Sequence, residues 1–255
     1  MTLSNNKLNL SLYDFSLARG HSYISSSLGS GSVVIDAGAH RAEFSKEISD
    51  SFGSSVIALE PNPNLDKPLL GPNVVLVDAA LSNKLGTADF ILDDNPEASR
   101  LTIEANHSVS SNRTINVKTT SLSEIIEDFN IKKIELLKLD VEGAEYDIIQ
   151  SIDRKLSNII GQISVEFHPL NPVGGELEKF NATCAHLGSM GFKMLRASYS
   201  GYGDVLFLNE LFFTPPGPFL TRVLPLYRKF LEFRQRRHNT STYTPNNPSA
   251  NPTNQ

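Results

Sequence analysis

The chain contains no tryptophan and only one cysteine, Cys184. A single thiol forms no internal disulfide and supplies no multi-cysteine zinc site, which excludes a disulfide scaffold and a zinc-ribbon module. It falls on an apolar helical face, where a free cysteine packs as a small hydrophobe. No apolar run reaches the roughly 18 residues that a spanning helix needs. The opening MTLSNNKLNLSLYDF has no basic region followed by an apolar core, so no secretory signal is read there, and a reducing, cytoplasmic setting is expected. Excess positive charge is missing too: 23 Lys/Arg stand against 28 Asp/Glu, a net charge of −5. Six of those basic residues and one acidic residue fall between positions 222 and 238, which leaves −10 on the remainder. An acidic body is a poor partner for a phosphate backbone, so nucleic acid is not an expected ligand.

What the chain does have is 255 residues, 40% of them hydrophobic, enough for one large α/β domain with an appendage. Val33–Asp36, Val56–Leu59 and Val74–Val77 are short apolar runs without alternation, each followed by or ending in an acid. Such runs are the pattern of parallel strands buried on both faces. Helix-length connections separate them, and Phe44, Ile48 and Phe52 mark one helical stripe that Gly53 ends. Ile134–Leu139 and Ile160–Val165 read as two more such strands, ending at Asp140 and Glu166. This strand–helix alternation implies a parallel sheet.

Residues 83–120 read as an antiparallel or loop-rich insertion, with 93–114 placed where a substrate lid would sit. Ser121 and Glu124 form a capping box. Leu177, Phe180, Cys184, Leu187 and Met190 mark a helix, and Phe192–Ala197 with Asp204–Phe213 predict a hairpin closing one sheet edge. The organisation expected is an N-terminal extension over 1–31 with no assigned chemistry and a core domain over 32–214. A basic amphipathic helix over 215–238, interrupted at Pro225, and a disordered tail over 239–255 complete it. A solvated helix packed on the domain is favoured there over peripheral membrane contact through 219–237.

The chemistry gathers at the strand ends. Gly38 sits in the turn between a strand and a helix, where a ligand can approach the backbone. Glu60 closes the next strand about 20 residues on, the spacing at which an acid hydrogen-bonds a ribose. A dinucleotide site would read G-x-G-x-x-G, but the run here is Gly38–Ala39–His40–Arg41–Ala42–Glu43. The missing glycines and the acids Asp36 and Glu43 argue against a nicotinamide-linked oxidoreductase. They suit a ligand that carries positive charge, such as S-adenosylmethionine. On that reading Asp36 lies near the methionine amino end, Glu60 on the ribose, and Asp78 with Ala79 beside the adenine. A nucleotide-binding α/β module without catalysis, acting as a partner subunit, is the competing reading.

Val34–His40, Ala58–Pro63, Ala79–Ser82 with Gly86, and above all Lys138–Leu139–Asp140–Val141–Glu142–Gly143–Ala144–Glu145 resemble the FkbM family of S-adenosylmethionine-dependent methyltransferases. Val165–His168 matches the family's following strand end, so the resemblance covers roughly residues 32–210. It implies a class I methyltransferase (Rossmann-like) fold: a seven-stranded, mostly parallel sheet with helices on both faces and the last strand antiparallel. It also implies O-methylation of a small-molecule or glycan acceptor. The cofactor-binding set it suggests is Asp36, Gly38, Ala39, His40, Glu60, Pro61, Asn62, Asp78, Ala79 and Asp140. The catalytic candidates are Asp140, Glu142 and His168, with His168 a general base because imidazole titrates near neutrality. No metal ligand set is assigned; a divalent cation is compatible with the acids but not expected. Where the family usually reads Gly-Ala-Asn-x-Gly, this chain has His40 and Ala42, and the methyl group at 42 is expected to narrow the approach to the methionine moiety.

Overall fold

The structure is a computed structural model that describes residues 7–11, 14–66, 70–93, 99–101, 113–168, 176–196, 203–214 and 216–241. Its centre is a seven-stranded sheet made of β4 (Val33–Ala37), β5 (Ser55–Leu59), β6 (Val74–Val77), β11 (Ile134–Leu139), β12 (Ile160–Val165), β13 (Phe192–Arg196) and β14 (Val205–Asn209). The spatial order is β13-β14-β12-β11-β4-β5-β6. β14 is antiparallel to both its neighbours, while the pairings among β12, β11, β4, β5 and β6 are all parallel. The hairpin expected at the edge forms, but its second strand inserts beside β12 and leaves β13 outermost. A mixed sheet results because a short loop can join only antiparallel neighbours.

Strand alternation divides the core in two. Ile35, Ile57, Leu137, Ile163 and Phe207 point to one face. There they meet α2 (Leu122–Asp128), α3 (Glu145–Gln150) and α5 (Glu176–Ser189) through Leu122, Ile125, Ile148, Ile149, Phe180 and Leu187. Val34, Val56 and Leu136 point to the other face, against Phe44 and Ile48 of α1 (Glu43–Phe52). A hairpin of β2 (Phe15–Ala18) and β3 (His21–Ile24) and the long helix α6 (Pro218–Ser241) extend that second layer over β13 and β14. Both faces are thus covered, which is why the central strands are mainly apolar, and the polar side chains Asp36, Lys138 and Gln162 among them are buried with partners.

The insertion forms a second sheet, β7-β10-β8-β9, from β7 (Ala80–Leu81), β8 (Gly86–Leu92), β9 (Arg100–Leu101) and β10 (Arg113–Thr120). β10 and β9 both run antiparallel to β8, as expected. The lid assigned to 93–114 falls mostly outside the described residues. Ser121 caps α2, accepting from the Glu124 backbone N–H at 3.2 Å. β1 (Leu8–Asn9) pairs with β15 (Phe213–Thr214), and α4 (Arg154–Ser157) precedes β12.

The N-terminal stretch packs on the body: buried Gln162 clamps β3, its side chain accepting from Ile24 N at 2.8 Å and donating to Ile24 O at 3.2 Å. The C-terminal end differs from expectation. Pro225 does not interrupt α6, which runs as one helix to Ser241, into the segment expected to be disordered; residues 242–255 lie outside the described ones. No helix among the described residues is long and apolar enough to cross a membrane.

Candidate active site

β4, β5, β11 and β12 all end at one cavity of about 330 Å³, the scale of a small-molecule site. Leu81, Phe90 and Leu101 of the inserted sheet give it an apolar wall. Gly38, Ala39, His40, Glu60 and Pro61 line it from the ends of β4 and β5, and Asp140, Glu142, Glu166 and His168 from the ends of β11 and β12.

The floor is a closed charge network. Asp36 and Lys138 are register partners on β4 and β11. Lys138, 3% exposed, places Nζ 3.1 Å from Asp36 Oδ1 and 3.2 Å from Asp140 Oδ2, and donates to Gly38 O at 2.8 Å. The ammonium thus lies at ion-pair distance from two carboxylates and donates to a backbone carbonyl. Burial favours a neutral amine, but Asp36 and Asp140 outweigh it and raise the Lys138 pKa. Asp36 is fully buried and accepts from Ser45 Oγ at 2.6 Å, which ties α1 to β4. It does not reach the cavity wall, so the carboxylate expected beside a methionine amino group is sealed behind that wall.

Gly38 turns the backbone at the cavity as expected and meets a second requirement. Its φ is +75°, and a Cβ there would stand 1.7 Å from the Asp140 carbonyl oxygen. The close approach is made by the neighbouring strand end. Ala42, the N-cap of α1, holds φ +53°, a conformation glycine adopts more readily. It is buried beside Ala39 and Ala58 and absent from the cavity wall, so the expected narrowing does not occur.

Glu60 is anchored at both oxygens: Oε2 accepts from His40 N and Oε1 from Asn62 N, each at 2.8 Å. Burial raises its pKa against those hydrogen bonds. Asn62 is buried off the wall, its Oδ1 accepting from Asn64 N at 3.0 Å. Asp78, exposed, and Ala79, buried, are also off the wall; Ala80 and Leu81 line it instead.

The loop after β11 and the end of β12 concentrate ionisable groups. Glu145, fully buried, accepts from Val141 N at 3.1 Å, Gly143 N at 2.9 Å and His168 Nδ1 at 2.8 Å. It thereby fixes the loop after β11 and turns His168 Nε2 toward Glu142 (3.4 Å), Asp140 (3.8 Å) and Glu166 (4.0 Å). Burial draws the imidazole pKa down, but the Glu145 hydrogen bond and the surrounding carboxylates prevail and hold it up at about 9. His168 is therefore an imidazolium at neutral pH, and the general-base role expected for it fails.

Asp140 and Glu142 diverge. Burial raises Asp140, but His21, Lys138 and His168 together hold its carboxyl well below the usual range. Glu142 is pushed up to about 7 by burial and by Asp140, Glu145 and Glu166, against the pull of His168. Its backbone sits at φ +54°, a strained conformation for a residue with a side chain, and such strain is concentrated at functional sites.

His21 was not foreseen. It is 2% exposed and places Nε2 3.3 Å from Asp140 Oδ2. Buried Asp204 holds the hairpin there, accepting from Ser22 N at 3.1 Å and Ser22 Oγ at 2.6 Å. Lys138 had a legible signal, a lysine among the leucines of a buried strand, because a charge so placed needs a partner. His21, Asp140 and Glu166, and likewise Asp140, Glu142 and His168, bring ligand atoms within 4.8 Å of one another. Such oxygen and imidazole sets suit divalent cations.

The family model for the methyltransferase FkbM domain matches residues 36–194. The chain belongs to the FkbM methyltransferase family. Among curated relatives of this FkbM chain is the hexuronic acid methyltransferase AglP of Haloferax volcanii, 26% identical over 118 residues, covering 46% of this chain and 49% of that protein. Another is methyltransferase sdnD of Sordaria araneosa, 24% identical over 182 residues, covering 57% of this chain and 70% of that one. The chain thus spans about half the length of the archaeal relative. A solved structure, methyltransferase FkbM from Methylobacillus flagellatus KT, aligns at 12% identity and a TM-score of 0.45, covering 73% of this chain and 46% of that one.

Proposed function

We propose that this chain is an S-adenosylmethionine-dependent O-methyltransferase of class I (Rossmann-like) fold, acting on a hydroxyl of a sugar, glycan or small natural product. The observation that carries this reading is the division of one cavity between an anchored acid, Glu60, and a titrating acid, Glu142. The sheet supports the fold assignment: seven strands, the last of them in the chain being the reversed one. The relative named as a hexuronic acid methyltransferase supports an acceptor of the sugar class.

The residues present fit the cofactor. Each Glu60 oxygen keeps an acceptor lone pair beyond its backbone hydrogen bond, as two vicinal ribose hydroxyls require. Glu60, Asp140, Glu142 and Glu166 place carboxylates on the wall, beside Arg19, Arg41 and Lys138, where a cationic group of the ligand can meet them. When bound, S-adenosylmethionine supplies an electrophilic methyl group on its sulfonium.

The chain's own residues orient the acceptor and take its proton. Glu142 receives the hydroxyl proton at a carboxylate oxygen. A base with a pKa near the working pH combines availability with basicity, and burial puts Glu142 at about 7. Asp140, kept ionised, orients the acceptor by accepting from a second donor group of it, while the reacting hydroxyl donates to Glu142. His168 remains protonated and steadies the carboxylates around it. Positioning of two bound reactants supplies much of the remaining rate, and no metal is required, so activity is retained in chelator.

Calorimetry with S-adenosylmethionine tests the cofactor: the chain binds it, and Glu60→Ala weakens binding about 10- to 100-fold, the range for a charged hydrogen-bond acceptor. Absence of heat even at millimolar cofactor would leave the non-catalytic partner-subunit reading in its place. Mass spectrometry of extracts from a deletion strain identifies the acceptor as a product lighter by one methyl group.

A further inference from the structure

The two sides of α6 are built for different surroundings. Its inner side is fastened to the body. Leu224 is 2% exposed, Arg228 donates to Asp204 Oδ2 at 2.6 Å and to Gly20 O at 3.0 Å, and Gln235 donates to Leu17 O at 2.6 Å. Its outer side carries Phe219, Leu226, Phe230 and Phe233, exposed by 74%, 60%, 51% and 56%. At about 100° per residue these four share an arc of roughly 60°. Arg222, Lys229 and Arg234 are exposed along the stripe, and the one acid of the segment, Glu232, is paired with Arg228 on the inner side.

Large apolar side chains rimmed by cations on a helix too polar to span a bilayer are the design of an interfacial helix. We propose that α6 docks this chain on an anionic membrane surface, with Phe219, Leu226, Phe230 and Phe233 at the acyl boundary and Arg222, Lys229 and Arg234 among the head groups. The charge distribution selects this occupant. A second copy packed stripe to stripe would bring like cations together, which is unfavourable. Anionic lipid attracts the basic residues of the helix and repels the acidic body, so that only this side approaches. The inference stands apart from the methyl-transfer reading and is tested without turnover.

Because the chain has no tryptophan, Phe230→Trp introduces its only indole. Its emission shifts to the blue on adding vesicles of phosphatidylcholine and phosphatidylglycerol in equal parts, and far less with phosphatidylcholine alone. The unmodified chain sediments with the mixed vesicles, and raising the salt reduces this. Phe230→Asp with Phe233→Asp lowers the partition about tenfold or more, through loss of buried apolar area. Unchanged emission with mixed vesicles overturns the proposal even if the double variant fails to fold, and so does equal binding to phosphatidylcholine alone. A blue shift without lipid that grows with protein concentration assigns the stripe to a second copy and equally overturns it.

Discussion

The floor of the cavity and its rim use the same residue types to opposite ends. In the floor, Lys138 lies between Asp36 and Asp140, and Asp36 is fully buried, so each charge meets its opposite at close range. At the rim, Glu142 and Glu166 face His168, whose charge is already engaged by Glu145. A surplus of carboxylates in a half-buried place retains a proton near neutrality, and that proton falls on Glu142, at about 7. Two acids two residues apart thus part ways, Asp140 pushed down and Glu142 up. The floor sets shape and potential, and the rim handles protons. Environments that drive neighbouring pKa values apart assign the roles of acid and base.

The sharpest way to break this division is Lys138→Met. It strands Asp36 without its counter-charge and lowers folding stability by about 3–5 kcal/mol in chemical denaturation. A loss below about 1 kcal/mol would mean the floor is not a closed network. At the rim, Glu142→Gln lowers kcat about 100-fold or more, with cofactor affinity unchanged, because it removes a base. In the unaltered chain the rate rises through about pH 7 as Glu142 loses its proton and falls through about pH 9 as His168 loses its own. The acid limb disappears in the variant, and carbon NMR of the Glu142 carboxyl titrates with a midpoint of about 7.

His168→Gln probes the link between rim and fold. The imidazole pKa rises from 6.5 to about 9 on folding, so its contribution is fully present below pH 6.5 and is lost as pH climbs through 9. At most about 3 kcal/mol is at stake, and thermal melts across that window become flatter in the variant. The smallest effect is expected of Ala42→Gly. Release of the positive-φ strain offsets the lost methyl burial and the added chain entropy, so stability moves by less than about 1 kcal/mol. Cofactor affinity measured by calorimetry stays constant, because the methyl group packs on Ala39 and Ala58.

Much of the frame was legible. β4, β11 and β12 are apolar runs because helices cover both faces of the sheet, and that burial writes itself into composition. The Ser121 cap and the Gly53 helix stop were legible for a similar reason, since each is a local backbone requirement. Glu60 was found by its distance from Gly38. Asp36 was misread: an acid at a strand end looks the same whether it faces a ligand or a lysine on the next strand. Lys138 held the missing clue, a charge among leucines in need of a partner. His21 carried no signal, since its place depends on Gln162 and Asp204, more than a hundred residues away.

Sequence alone marked which segments form the parallel strands, the identity of the acids that close them, and the family they indicate. These rest on short-range patterns of burial and turn chemistry that each segment carries within itself. Only the tertiary structure decided which acids face the cavity, that His168 is charged rather than a base, and that Glu142 holds a proton near neutrality. It also decided that α6 is continuous and leaves an apolar stripe outside. Those properties depend on distances between segments far apart in the chain: a pKa is set by the whole charge environment, and a helix face is exposed only when nothing else packs upon it.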